Sequence, residues 1–312
     1  MKIDVVFAAD CRFLIPLQVA VTSLALNALS TSRLRIWLAT DRAETGAESL
    51  IQKVAASSGL DVHWLPLDVS LIADAPVVRP WSRATYLRLM LPLVLPSHIE
   101  RFIYLDSDVV VERDLLELYS TGLEKRPLAA VGSFRGPPRR GPIDLSRHPY
   151  FNAGVMVIDK QEWLAREITP RALDCIASYP GGLQALDQDA LNVAVAGDWK
   201  PVDRKWNQLP SAWELSHRQM GISPEEMRIL RTQPFIIHFA GLTKPWKFGD
   251  DHPLHARFEH YRRLAGLPPS CPAPESALDV LRRAAKWIVP RRARPAVRDT
   301  LRDAKRFMGI RW

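Results

Sequence analysis

Two aspartates one residue apart, Asp106-Ser107-Asp108, follow the apolar run RFIYL and precede a second β-branched run, VVV. On extended backbone, side chains at i and i+2 fall on one side. Two carboxylates so arranged can hold a hard divalent cation that completes its shell with the oxygens of a diphosphate. The same tripeptide also suits a polar turn between two strands. His238 ends another apolar run in PFIIHFAGLTKPW. An imidazole there serves either as a hydrogen-bonded core group or as a third ligand. Two carboxylates and an imidazole favour Mn²⁺ over Mg²⁺, because nitrogen ligands suit the later metal better. Gly241, Lys244 and the pair Pro245-Trp246 follow, a turn that carries a cation and suits an anion.

Two further segments carry polar groups where an apolar run would be expected. Leu186-Asp187-Gln188-Asp189-Ala190-Leu191-Asn192 reads as a helix N-terminus, with Asp187 as cap and acidic residues in the first turn. The same carboxylates can equally serve a ligand. In Phe151-Asn152-Ala153-Gly154-Val155, an Asn and a Gly enter a strand, which marks a bulge or a close approach.

The elements that must position these groups alternate. Ile3–Phe7, Leu34–Thr40 and Val62–Leu67 read as strands, with helices at Phe13–Leu29 and Glu44–Ala56 between them. Ser82–Leu91 reads as a helix, and Phe102–Leu105 and Val109–Val111 as strands on either side of the aspartates. Gly154–Ile158 and Phe235–Phe239 are further strands, and Glu162–Ser178 a further helix. Phe134–Pro149, rich in Pro and Arg, reads as a long mobile loop of the kind that contacts substrate, and Gly181-Gly182 as a break. This rhythm predicts an α/β fold with a mostly parallel sheet, whose ligands gather at the carboxyl ends of the strands.

Composition narrows the classes. The chain has 312 residues, 47% hydrophobic and 24% charged, which excludes a disordered chain, a collagen and a coiled coil. Cys11, Cys175 and Cys271 are too scattered for a disulfide framework or a zinc site, and they suggest a reducing compartment. No run is long and apolar enough for a transmembrane helix. The Phe13–Leu29 segment, preceded by Asp4 and Asp10 and interrupted by Gln18 and Asn27, reads as a buried helix rather than a signal peptide. The formal charge of +8 lies entirely in residues 277–312, with eleven basic residues against three acidic ones. A neutral body argues against nucleic acid as a partner. In the tail, Leu278, Leu281, Ala285 and Ile288 recur at helical spacing among Arg282, Arg283 and Lys286, with Trp287, Phe307 and Trp312 as aromatics. Such basic amphipathic helices lie on anionic membranes.

Taken in order, these motifs resemble glycosyltransferase family 8, whose members are retaining enzymes that include bacterial lipooligosaccharide galactosyltransferases and glycogenin. The resemblance rests on FAAD, RATYLRL, YLDSDVVV, FNAGVMVID, LDQDALN and HFAGLTKPW, across roughly residues 3–247. It implies a GT-A fold, a single nucleotide-sugar-binding domain over residues 1–265. A Pro-rich linker, 266–276, and the basic tail, 277–312, follow. It further implies that Asp106, Asp108 and His238 hold Mn²⁺, or Mg²⁺ in its place. Ala9 and Asp10 would face uracil and ribose, with Ser107 beside the donor. Arg88 would meet phosphate or sugar, and Asn152 and Ala153 would line the sugar pocket. Gly241 and Lys244 would hold the diphosphate. Asp187 would bond the hexose hydroxyls, and Gln188 would lie under the β-face of the anomeric carbon. Two positions depart from the bacterial galactosyltransferases: Arg12 stands where they tend to have Asn, and VGSFRG around Ser133 lacks their acidic residue. The acceptor is therefore expected to differ.

The expected reaction moves galactose or glucose from a UDP-hexose to a glycan or glycolipid hydroxyl, on the cytoplasmic face of the membrane. Gln188 is a poor nucleophile, which favours same-face attack with retention. A covalent intermediate on Asp187 or Asp189 is the alternative. A sugar nucleotidyltransferase, or a nucleotide-sugar-binding protein without turnover, would share the sheet. The first should show a Gly-rich loop after the first strand, where FAADCRF has none.

Overall fold

Ile3, Val5 and Phe7 face one side of a strand and Val6 the other, and all four are fully or almost fully buried. Apolar groups on both faces can be buried only if helices cover the sheet twice. A computed structural model describes residues 2–10, 13–41, 47–68, 83–134, 136, 145–179, 183–241, 244–247, 250 and 252–270. The first half runs β1 (Ile3–Ala8), α1 (Leu14–Asn27), β2 (Leu34–Asp41), α2 (Ala47–Ser58), β3 (Asp61–Leu67), α3 (Leu87–Val94), β4 (Arg101–Leu105), β5 (Val109–Val111), α4 (Leu116–Tyr119) and β6 (Leu128–Gly132). The second half runs β7 (Phe151–Asp159), α5 (Lys160–Ala165), α6 (Ile168–Ser178), α7 (Asp187–Val195), β8 (Lys200–Pro201), α8 (Ser211–Glu214), α9 (Pro224–Thr232), β9 (Ile236–His238) and α10 (His255–Leu264).

Seven strands form one sheet in the order β3-β2-β1-β4-β7-β6-β8. Only β7 runs against the others. The mostly parallel sheet expected from the alternation is present. Leu17, Leu24 and Val54 of α1 and α2 pack on the face of Val5 and Phe7. Leu89, Trp163, Ile176 and Leu191, from α3, α5, α6 and α7, pack on the face of Val6 and Tyr104. β5 and β9 leave the main sheet and form a two-stranded antiparallel ribbon.

The reversed strand is irregular where the sequence suggested a bulge. Met156 pairs with Ala130, yet Asn152 pairs with Val131, so Ala153, Gly154 and Val155 have no partner on β6. Such an irregularity re-aims the residues it contains. The expected helix Glu162–Ser178 is two helices, because Glu167 takes a left-handed backbone, φ 52°, between α5 and α6. The helix expected over Ser82–Leu91 is a 3-10 turn, Arg83–Tyr86, followed by α3. Most of the Pro/Arg-rich stretch, Gly181-Gly182, Cys11, Arg12, Cys271 and the tail 277–312 lie outside the described residues. Among the described residues no helix is long and apolar enough to cross a membrane.

Candidate active site

The backbone through Asp106–Asp108 is not extended; it turns from β4 into β5. The turn brings the two carboxylates and the imidazole into one cluster. Phe239 N donates to Asp108 O at 2.9 Å, and Val109 pairs with His238 across the ribbon. One donor atom from each of Asp106, Asp108 and His238 lies within 4.8 Å of the others. His238 Nε2 stands 3.2 Å from Asp108 Oδ1 and 3.5 Å from Asp106 Oδ2. His238 is 2% exposed, so its ring is held by the fold rather than by solvent.

Gly154 makes room for this cluster. A Cβ there would stand 2.2 Å from His238 Cε1 and 2.7 Å from Asp106 Oδ2, closer than real side chains approach. The close approach expected in FNAGV is thus made by the side chains of His238 and Asp106. Two carboxylates and one imidazole nitrogen, converging beside a backbone stripped of its Cβ, are a donor set that fits a divalent cation.

Cations surround the cluster. Arg88, from α3, meets Asp106 Oδ1 at 2.9 Å and Asp187 Oδ2 at 2.7 Å, and donates to Ala153 O at 2.9 Å. Its guanidinium lies 4.9 Å from the centre of the Tyr104 ring, whose hydroxyl donates to Asp106 Oδ1 at 2.7 Å. Burial disfavours the charge on Arg88, but Asp106 and Asp187 outweigh it and raise its pKa. Lys244 Nζ pairs with Asp108 Oδ2 and donates to Phe239 O at 2.8 Å. Burial works against the Asp108 charge, yet Lys244 and His238 prevail and hold its carboxyl well below the usual range.

Asp187 is the first residue of α7 rather than its cap; Leu186 precedes the helix at φ 47°. The Asp187 carboxyl turns to Arg88 instead. Burial pushes its pKa up to about 7, although Arg88 pulls the other way. The Arg88 approach is off the hydrogen-bond direction, so the buried Oδ2 accepts no hydrogen bond among the described residues. Gln188 Oε1 accepts from Asn152 Nδ2 at 2.8 Å and Ala153 N at 3.1 Å, and its Nε2 donates to Tyr150 Oη at 2.8 Å. Tyr150 in turn donates to Asp189 Oδ1 at 2.6 Å, while Gln184 N and Ala185 N donate to Asp189 Oδ2 at 2.9 and 2.8 Å. Asp189 is 1% exposed and both its oxygens are engaged. It anchors the start of α7.

The remaining expected residues border this edge. Ser107 Oγ donates to Ala8 O at 3.3 Å, which ties the turn to the end of β1, where the buried Ala9 and then Asp10 follow. Gly241, at φ +94°, stands three residues past His238 in a left-handed conformation that favours glycine.

This arrangement, at the carboxyl edge of an α/β sheet, has close parallels. Residues 4–249 match the model of glycosyl transferase family 8. The chain belongs to that family. The "Lipopolysaccharide 1,2-glucosyltransferase" of Escherichia coli K12 is 27% identical over 248 residues, 78% of this chain and 72% of that protein. The "Lipopolysaccharide 1,3-galactosyltransferase" of Salmonella typhimurium LT2 is 25% identical over 268 residues, 82% of this chain and 77% of that one. The fold is that of the galactosyltransferase LgtC, crystallised with donor and acceptor sugar analogues. Its TM-score is 0.71 at 25% identity, covering 88% of this chain and 98% of that one. This family 8 chain therefore carries a glycosyltransferase GT-A domain, and the nucleotidyltransferase alternative falls away.

Family 8 motifs do not reveal every residue of the site. Asn207, wholly buried, joins His238 Nδ1 at 2.9 Å to Asn152 Oδ1 at 2.8 Å. It sits in KWNQL, a segment without charge pattern or periodicity around it. Tyr104 and Tyr150 were legible only as apolar positions. Asn192 lay inside a quoted motif without a role; it accepts from Phe151 N at 2.9 Å and donates to Phe151 O at 3.0 Å, fastening α7 to β7.

Proposed function

We propose that the chain is a retaining hexosyltransferase that moves galactose or glucose from a UDP-hexose to a hydroxyl of a lipid-linked glycan. The observation that carries this reading is the convergence of Asp106, Asp108 and His238 beside Arg88, Asp187 and Gln188. The names of the Escherichia coli and Salmonella relatives, a glucosyltransferase and a galactosyltransferase of lipopolysaccharide, support the choice of hexose and of a lipopolysaccharide-type acceptor.

Asp106, Asp108 and His238 would hold a divalent cation, Mn²⁺ in preference to Mg²⁺ because of the imidazole. When bound, that ion supplies Lewis-acid stabilisation of the charge growing on a departing diphosphate. The chain's own groups do the rest. Lys244 adds a second positive charge on the diphosphate side. Arg88 orients Asp106 and Asp187 together, so the metal ligands and the sugar site share one guanidinium. The Asp187 carboxyl, held by Arg88, would accept from a hexose hydroxyl.

Gln188 is an amide with both ends already bonded, so it fixes and polarises rather than attacks. Both oxygens of Asp189 are already bonded, and the Asp187 carboxyl is held against Arg88, which disfavours either as the attacking group. The acceptor hydroxyl then attacks from the face the UDP leaves, passing its proton to a departing phosphate oxygen as the old C–O bond breaks and the new one forms. The configuration at the anomeric carbon is retained. The tail, 277–312, would hold the enzyme on the cytoplasmic face of an anionic membrane.

The test is UDP release from a panel of UDP-sugars with Mn²⁺, Mg²⁺ or chelator, using Asp106→Ala and His238→Ala as controls. Slow hydrolysis of one UDP-hexose, stimulated by Mn²⁺ and lost in both variants, is expected. Metal-dependent UDP binding without turnover on any donor or acceptor would leave only a nucleotide-sugar-binding protein.

A further inference from the structure

The hydrogen bonds from β7 to His238 have a direction, and two backbone groups impose it. Gly154 N, which can only donate, lies 3.0 Å from one atom of the Asn152 amide, and Ala153 N lies 3.1 Å from one atom of the Gln188 amide. Both atoms must therefore be oxygens. The other end of Asn152 is then an NH₂ aimed at Gln188 Oε1 at 2.8 Å, and the two assignments agree. The atom of Asn207 that stands 2.8 Å from Asn152 Oδ1 must be its NH₂, because the opposite flip would press two carbonyl oxygens together. That turns Asn207 Oδ1 toward His238 Nδ1, 2.9 Å away. An amide oxygen accepts, so Nδ1 bears a proton. Asn207 and Gln208 are 0% exposed and His238 2%, which leaves water no part in the choice.

We infer that Asn207 is a positioning residue: oriented by the β7 backbone through Asn152, it holds His238 with Nδ1 protonated and Nε2 directed at the carboxylates of Asp106 and Asp108. The inference rests on the reading of those three residues as a metal site. It adds that the metal site and Gln188 are set by one residue, since Asn152 gives its oxygen to the Asn207 side and its NH₂ to the Gln188 side. Partners of this kind orient an imidazole ligand and raise its affinity for metal; their loss typically costs about 10–100-fold in binding.

Substitutions at the two asparagines separate the branches. Asn207→Leu removes the acceptor that faces Nδ1, and Mn²⁺ affinity, measured by water-proton relaxation, is expected to fall by about 10–100-fold. Asn207→Asp keeps an acceptor there and is expected to restore Mn²⁺ binding to within about threefold of wild type, since a carboxylate also orients an imidazole ligand. Asn152→Asp keeps the oxygen that Gly154 and Asn207 need but loses the donor to Gln188, so it should leave Mn²⁺ binding intact while kcat falls.

The wild-type protein supplies a test that needs no variant to fold. In the full chain loaded with Mg²⁺ and UDP, which cause no paramagnetic broadening, the ¹H–¹⁵N spectrum assigned with His238→Gln should show the His238 proton on Nδ1. A neutral ring with its proton on Nε2 would overturn the inference, as would wild-type Mn²⁺ affinity in a folded Asn207→Leu. Absence of turnover with every UDP-hexose, alongside the expected spectrum and Mn²⁺ loss, would sink the transferase reading and leave this one standing.

Discussion

Gly154 and His238 are so close that a single methyl group on the former would overlap the imidazole of the latter, 2.2 Å from Cε1. Backbone lies on one side of the contact, so it is the ring, fastened to Asn207, that must give way. Gly154→Ala is therefore expected to fold and to displace His238. Displacements of about 1 Å can cost about a hundredfold in rate. UDP-hexose hydrolysis and Mn²⁺ binding by the variant, compared with its thermal stability, test this. Unchanged metal binding in a stable variant would show that the imidazole is not a ligand.

Asp187 couples stability to activity in opposite senses. Its folded pKa is raised to about 7, from an ordinary value of about 4, chiefly by burial. The folded state thus favours the protonated acid: the stabilisation is fully present below about pH 4 and is lost as pH rises through about 7. The ion contact with Arg88 and the hydroxyl-accepting role need the carboxylate, so kcat/KM should rise over the same interval. Thermal scans of metal-free protein and rate profiles between pH 5 and 9 are the measurements. Asp187→Asn should flatten both; an inflection that persists in Asp187→Asn would assign it to another group.

Arg88 is expected to resist conservative change. Its planar fork reaches Asp106, Asp187 and Ala153 O at once while stacking near Tyr104, and a lysine ammonium cannot match that geometry. Arg88→Lys should lose about tenfold or more in kcat/KM. If steady-state rates of the lysine enzyme equal those of wild type, the guanidinium is only a charge.

For Asp189 the expected finding is that it never carries sugar. Tyr150→Phe deprives Asp189 of one donor and Gln188 of one acceptor, which should destabilise the chain by about 1–3 kcal/mol and lower kcat through Gln188. Intact-mass and peptide analysis of enzyme quenched during turnover should find no hexose on Asp189. A glycosylated Asp189 peptide would establish a double displacement instead.

Much of this was legible in the sequence. The strands β1 to β5 and helices α1 and α2 announce themselves because a sheet covered on both faces demands apolar runs separated by helical periods. Asp106, Asp108 and His238 were legible as polar groups at the ends of apolar runs, which left a turn or a core histidine equally open until the fold brought the three together. What stayed hidden depended on backbone conformation or on contacts remote in sequence. Glu167 breaks a helix through a left-handed backbone that a glutamate does not advertise, and the one local sign of the restart is Pro170 in the first turn of α6. Asn207 owes its role to neighbours at 152 and 238 rather than to any local pattern.

The tail makes a separate prediction. Full-length protein should cosediment with vesicles containing anionic lipid and be released as salt rises, because such attraction is screened. Replacing Arg282, Arg283 and Lys286 by Gln should weaken sedimentation while hydrolysis of the donor in solution stays unchanged. Equal binding to neutral vesicles would argue against an electrostatic anchor.

The candidate metal ligands straddle two sheets. Asp106 follows a strand of the main sheet, whereas Asp108 precedes the ribbon of β5 and β9 and His238 is its last residue. All seven strands of the main sheet precede both Asn207 and His238 in the chain, since the last of them ends at Pro201. During synthesis from the N-terminus, the scaffold can thus be complete while the site still lacks its imidazole and the amide that orients it. Chemistry in this enzyme must wait for its final strand to dock, so a stalled or truncated chain that has built the whole sheet would still be unable to spend a nucleotide-sugar.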